Sequence, residues 1–238
     1  MGGTVPVSVV LAYLHNGKVH GGFMRSVINL LIFDEAHGRH IYTGGHLGLP
    51  SGPNLSAPRC QVVRSFLETE GEWLWFVDSD MTFEPDILER LVEVADPDTA
   101  PIVGGLCFGQ IVDHGVVLYY PTMFMIDDEG QGWRVDEYPP DTVFDVHATG
   151  TACLLIHRRV LEAMASKFPE PLPWFAEEVS EWGGLQSEDV TFCRRARSLG
   201  FPVKVHTGVK TGHLKIYEIT EETHRASYEA WLAANGVT

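Results

Sequence analysis

Long hydrophobic runs are missing from this chain. The longest apolar stretches, Ser8 to Leu14 and Ser26 to Phe33, fall far short of the roughly 20 residues a membrane-crossing helix needs, so no membrane insertion is expected. The N-terminus lacks the basic flank and apolar run of a secretory signal, and Pro6 stands where an acylation signal wants Ser or Thr. A cytoplasmic protein is therefore expected. Cysteine is scarce: Cys60, Cys107, Cys153 and Cys193 form no C-x-x-C pair and sit in apolar or helical surroundings. That implies neither a disulfide framework nor a structural zinc site and points to reduced, partly buried thiols. Positive charge is short as well, with 17 Lys and Arg against 32 Asp and Glu and a formal net charge of −15. Such a chain repels a long phosphate backbone unless its cations cluster on one face, so duplex nucleic acid is disfavoured as a partner. A divalent cation held among carboxylates reconciles an acidic protein with a small anionic ligand.

What is present is a globular composition: 238 residues, 45% of them apolar, enough to bury one large core. Val5 to Leu14 is β-branched and unbroken, as in the buried first strand of a parallel sheet. Gly21 to Phe33 has helical spacing of Phe23, Val27, Leu30 and Leu31. A strand is expected at His40 to Thr43, then a Gly/Pro/Ser/Asn loop from Gly48 to Pro58 that borders a ligand. Ser56 is a candidate cap for a helix carrying Val62, Val63, Phe66 and Leu67. The strand Trp73 to Val77, a helix after Pro85 and the strand Ile102 to Phe108 continue a βαβα order, hence a doubly wound, mainly parallel sheet flanked by helices. A hairpin is expected from Val116 to Ile126 and Trp133 to Tyr138, lying over the sheet edge. A strand at Ala152 to Ile156, helices at Arg158 to Ser166 and Ser187 to Leu199, a strand at Val203 to His206 and a terminal helix at Thr220 to Ala234 complete the reading. One domain is expected over residues 1–238. Within it, 1–110 form a ligand-binding half, 111–219 a second half and 220–238 a terminal helix.

The strongest chemical signal is Trp73-Leu74-Trp75-Phe76-Val77-Asp78-Ser79-Asp80, an apolar strand ending in paired carboxylates. Ligands of open α/β sheets sit beyond the carboxyl ends of strands, and hard oxygen donors there suit Mg²⁺ or Mn²⁺ bridging to phosphate. The same residues suit a plain polar turn. They also suit a haloacid-dehalogenase-like phosphatase or a nucleotidyltransferase, but the Ser or Thr, the Lys and the later acidic pair of such a phosphatase find no place here. A second signal is Gln186-Ser187-Glu188-Asp189-Val190, opening a helix, followed by Gly200 and then Gly212-His213. Taken singly, its acids favour the helix dipole and its histidine is a loop residue.

Taken together these motifs resemble the GT-A glycosyltransferases, in particular small proteins similar to glycosyltransferase family 2, several of which occur in bacteriophages. The resemblance is carried by Ala57-Pro58-Arg59, Asp78-Ser79-Asp80-Met81, Val103-Gly104-Gly105, Gly150-Thr151-Ala152-Cys153-Leu154-Leu155-Ile156, Ser187-Glu188-Asp189 and Gly212-His213. It implies a GT-A fold and transfer of a sugar from a nucleotide-sugar donor, a UDP-sugar foremost, to an acceptor hydroxyl, with inversion favoured although the family contains both stereochemical outcomes. It implies that Asp80, Asp78 and His213 hold the metal, Mn²⁺ favoured by the imidazole and Mg²⁺ the alternative. Asp78 then also reaches the ribose, and Arg59 is a second cation for the diphosphate. By the same resemblance Asp189 is the catalytic base, with Glu188 as its alternate or as an acceptor ligand, and Trp174, Phe175 and Trp182 form an acceptor-binding loop. A virion protein, a saccharide or a modified DNA base are the acceptors it brings forward, and a phage-encoded enzyme would act in the host cytoplasm. A catalytically idle binding relative is the alternative from another class.

Overall fold

The computed structural model describes residues 7–113, 116–127, 132–179, 184–216 and 220–234. The first half of the chain forms β1 (Val9–His15), α1 (Gly21–Ala36), β2 (Ile41–Pro50), α2 (Ser56–Leu67), β3 (Trp73–Val77), β4 (Met81–Phe83), α3 (Ile87–Val92) and β5 (Ile102–Leu106). Short strands follow: β6 (Phe108–Asp113), β7 (Val116–Pro121), β8 (Met123–Ile126), β9 (Gly132–Arg134), β10 (Val143–Val146) and β11 (Ala148–Thr149). The chain then forms β12 (Cys153–His157), α4 (Arg158–Lys167), β13 (Glu178–Val179), β14 (Leu185–Gln186), α5 (Glu188–Ser198), β15 (Val203–His213) and α6 (Glu221–Ala234).

The central sheet has the order β10-β15-β5-β12-β3-β1-β2, drawing strands from both halves of the sequence. β1 runs parallel to β2 and β3, and β15 parallel to β5. β12 inserts antiparallel between β3 and β5, and β10 lies antiparallel at the edge. The sheet is thus mixed but mostly parallel, with helices on both faces. The βαβα order foretold the parallel part; the reversed β12 was hidden, because a wholly buried strand reads the same in either direction.

Alternation along the strands divides the core in two. Val10, Ala12, Leu74, Phe76, Leu154 and Ile156 pack with Cys60, Phe66, Leu161 and Phe192 from α2, α4 and α5. Val9, Leu11, Trp73, Trp75 and Leu155 pack on the other face with Phe23, Leu30, Leu88 and Leu91 from α1 and α3. Each such large side chain contributes about 1.5–3 kcal/mol through burial. The four cysteines are buried and unpaired. No helix among the described residues is long and apolar enough to cross a membrane.

Several local expectations are corrected. Ser56 does not cap α2: Leu55 holds the cap position without a side-chain bond, and Asn54 Oδ1 instead accepts from the Ser56 amide at 3.1 Å. The other end of α2 is closed from a distance. Arg158 donates to the carbonyls of Phe66, Leu67, Thr69 and Gly71 at 2.6–3.2 Å, satisfying acceptors a helix terminus leaves open. The expected single hairpin is two, β6 with β7 and β8 with β9, because Thr122 breaks the run by donating its amide to the Cys107 carbonyl at 2.9 Å. Most of its expected turn, residues 128–131, lies outside the described residues.

Candidate functional site

Asp78 follows β3 directly, and its amide donates to the Ala152 carbonyl at 3.1 Å, so the carboxylate stands at the carboxyl edge of the sheet. The chain then turns, with the Met81 amide on the Asp78 carbonyl at 3.0 Å, and leads into β4. β4 pairs with the far end of β15 in a register that sets His213 opposite Met81 and Gly212 opposite Thr82. That register carries Asp80 to His213: the Leu214 amide donates to the Asp80 carbonyl at 2.8 Å, and His213 Nε2 lies 3.0 Å from Asp80 Oδ2. Gly212 allows the close approach as built, since a Cβ there would stand 2.5 Å from Thr82 Oγ1, which would have to rotate away.

His213 Nδ1 sits 2.9 Å from the Phe108 carbonyl. A proton on Nδ1 that is donated to this carbonyl leaves Nε2 to face Asp80, the arrangement usual for a metal-ligating histidine. Lys215 Nζ reaches the same Asp80 oxygen at 3.2 Å. Burial works to raise the Asp80 pKa, but His213 and Lys215 outweigh it and the carboxyl is held below its ordinary value. The hydrogen bond to Asp80 in turn raises His213.

A second cluster centres on Arg59, on the first turn of α2 and 2% exposed. Its Nη1 donates to Glu188 Oε1 at 2.6 Å and to Asp189 Oδ1, and its Nη2 lies 3.5 Å from Asp78 Oδ1. Burial disfavours its charge most strongly, yet Asp189, Asp78 and Glu188 together raise its pKa. Burial pushes Asp78 up, with Arg59 acting against it, and burial and the neighbouring Asp189 push Glu188 up. The two acids open α5 behind the N-cap Ser187, whose side chain accepts from the Val190 amide. Thr151 Oγ1 also donates to Asp189 Oδ1. Among the described residues Oδ1 takes both hydrogen bonds and Oδ2 takes none.

Arg59 therefore joins two motifs that lie more than 100 residues apart, the Asp-x-Asp of β3 and the acidic start of α5. Beside them opens a cavity of about 700 Å³ whose walls include Leu14, His15, Lys18, His20, Ser51 and Leu55, with Asp78, Ser79 and Asp80 at its edge. His15, Lys18 and His20 were not singled out in the sequence, although their position just past the first parallel strand was a usable signal. Lys215 gave none, because its partner Asp80 is 135 positions away.

The expected site residues divide. Asp78, Asp80, His213, Glu188 and Asp189 come together with Arg59 in these linked clusters. Arg59 does not stand open to a diphosphate; its guanidinium is committed to carboxylates. Trp174 and Phe175 are 2% and 0% exposed and do not form an acceptor loop. Trp174 Nε1 donates to the Leu161 carbonyl at 2.7 Å, and Phe175 stacks on Phe192 with centroids 4.7 Å apart. Trp182 lies outside the described residues. His147 accepts the Ile126 amide on Nδ1 at 2.8 Å, a structural role.

Among the described residues no set of three or more His, Cys, Asp or Glu side chains is arranged as a complete metal cage. Asp80 and His213 nevertheless fit a divalent ion. Donors about 2.1 Å from one octahedral centre and at right angles to each other are about 3.0 Å apart, and such ions take their remaining ligands from phosphates and water.

No protein-family model and no curated protein matches the sequence. Solved structures do. A197 from STIV superposes with a TM-score of 0.52 at 17% identity, over 88% of this chain and 87% of that one. GalNAc-T7, solved with UDP, GalNAc and Mn²⁺, superposes with a TM-score of 0.58 at 12% identity over 90% of this chain. The match spans 45% of the GalNAc-T7 chain, less than half its length. At such identities the likeness is one of fold.

Proposed function

The chain has a GT-A-type glycosyltransferase fold, and on that footing we propose that it transfers a sugar from a nucleotide-sugar donor, a UDP-sugar foremost, to an acceptor hydroxyl. The observation that carries this reading is the Arg59 bridge, which joins Asp78 of the Asp-x-Asp motif, in the cavity wall, to a helix-start carboxylate pair. The likeness to GalNAc-T7, with its bound UDP and Mn²⁺, supports the choice of donor and metal.

Asp80 and His213 would hold the divalent ion, Mn²⁺ or Mg²⁺, with Asp78 beside them for the ribose or a metal-bound water. Bound there, the metal supplies positive charge that stabilises the departing diphosphate. Lys215, paired with Asp80, and Lys18, in the cavity wall, would add positive charge to the site. Asp189 takes the proton of the acceptor hydroxyl as its oxygen bonds to the anomeric carbon and the bond from that carbon to the diphosphate breaks. Products are the glycosylated acceptor and a nucleoside diphosphate, with inversion at the anomeric centre. A carboxylate of modest basicity suffices, because the hydroxyl becomes acidic only as the new bond forms. Arg59 and Thr151 fix Asp189 by its Oδ1, which leaves Oδ2 for the acceptor.

Incubation with a panel of UDP-sugars should release UDP slowly when Mn²⁺ is added, by transfer to water, and chelation should stop it. Metal-independent release, or no release from any UDP-, GDP- or dTDP-sugar, would contradict the reading.

A further inference from the structure

The acceptor-binding surface expected at Trp174 and Phe175 is closed, because both rings belong to the core. An open aromatic surface exists elsewhere, on the two hairpins β6–β7 and β8–β9. There a cavity of about 550 Å³ is lined by Ile111, Tyr120, Phe124, Trp133, Arg134 and Asp136. Trp133 is 52% exposed, and the Arg134 guanidinium stands 4.8 Å from the centre of the Tyr120 ring.

This surface is tied to the reaction centre at two points. Tyr120 pairs across the hairpin with Gly109, and its ring lies so close that a Cβ on Gly109 would meet it at 2.8 Å. The neighbouring Phe108 gives its carbonyl to His213 Nδ1. At the other end Phe124 pairs with Arg134 on one side and with Ala148 of β11 on the other. Three residues beyond Ala148, Thr151 donates to Asp189. The groove is thus built on strands that lead to His213 and to the carboxylate placed to take the acceptor proton.

We propose that this groove holds an oligosaccharide acceptor and directs a terminal hydroxyl to Asp189; the assignment rests on the transferase reading above. Aromatic faces cover the apolar C–H faces of pyranose rings, and the indole N–H and phenolic O–H at their edges meet hydroxyls. Arg134 and Asp136 add a forked donor and a two-oxygen acceptor of the kind that grips neighbouring hydroxyls. The presence of both signs favours a neutral, hydroxyl-rich ligand. A nucleic acid strand would need several cations where the lining offers Arg134 alone.

The test is direct retention of glycans, without any donor, on an array of gluco-, galacto-, manno- and N-acetylhexosamine oligosaccharides. Wild type and Asp80→Asn should retain the same glycans, while Trp133→Ala and Arg134→Ala should each weaken retention by about tenfold or more. Both side chains are exposed, and an unchanged melting temperature confirms that the variants fold. Retention of no glycan by a wild type that still binds UDP would overturn the groove and leave the transferase reading standing. Glycan retention by a wild type that binds no nucleotide would leave a glycan-binding groove but overturn both its assignment to an acceptor and the transferase reading.

Discussion

Replacing Asp189 with Asn should lower transfer by about 10²- to 10⁴-fold, the usual worth of a positioned base, while UDP binding stays within about threefold of wild type. The substitution keeps shape and leaves an oxygen that can still accept from Arg59 and Thr151, so α5 should hold its place. It removes the ability to take a proton, together with one of the three negative charges around Arg59. The proper comparison is Glu188→Gln, because Glu188 shares Arg59 and its pKa is raised by burial and by Asp189. If Glu188→Gln loses turnover by that factor and Asp189→Asn retains it, the base assignment moves to Glu188. If neither loses it, proton removal at this cluster is not part of the reaction.

Arg59→Met should be the most destabilising single change at the site. The wild-type guanidinium is almost wholly buried and carries Glu188, Asp189 and Asp78 at once. Methionine fills similar space but leaves these partly buried carboxylates facing one another without their shared cation. Breaking a buried pair by removing one partner costs about 3–5 kcal/mol, which for a chain of this size lowers the melting temperature by about 10 °C. Turnover should fall as well, since Asp189 and Asp78 lose a common anchor. Arg59→Lys keeps the charge but not the planar fork and should fall between. A melting temperature for Arg59→Met equal to wild type would mean that the ion cluster contributes nothing to the fold.

How much of this was legible in the sequence depends on how far apart the partners lie. The strand Trp73 to Val77 and the helix that begins after Ser187 were readable because periodicity and caps are local. β15 was expected to end at His206 but runs on to His213, past an irregularity between His206 and Lys210. That extension brings His213 to Asp80, so the geometric reason for the pairing was concealed even though both residues were named. Arg59 was named too, but with the wrong neighbours: its burial and its carboxylate partners about 130 positions away leave no trace in local sequence. Trp174 and Phe175 misled for a related reason. An aromatic stretch without periodicity reads alike whether its rings line a loop or wedge between α4, α5 and the sheet. The aromatics of the two hairpins were not singled out in the sequence; their strands form small sheets separate from the central one.

The most direct measurement is calorimetric titration of UDP, with and without Mn²⁺, into wild type and Asp80→Asn. The account predicts binding that needs the metal and that is lost or weakened at least tenfold in the variant, because Asp80, the proposed metal ligand, is also the partner of His213 and Lys215. UDP binding of equal strength in all four conditions would contradict a metal-dependent nucleotide-sugar site at Asp78 and Asp80.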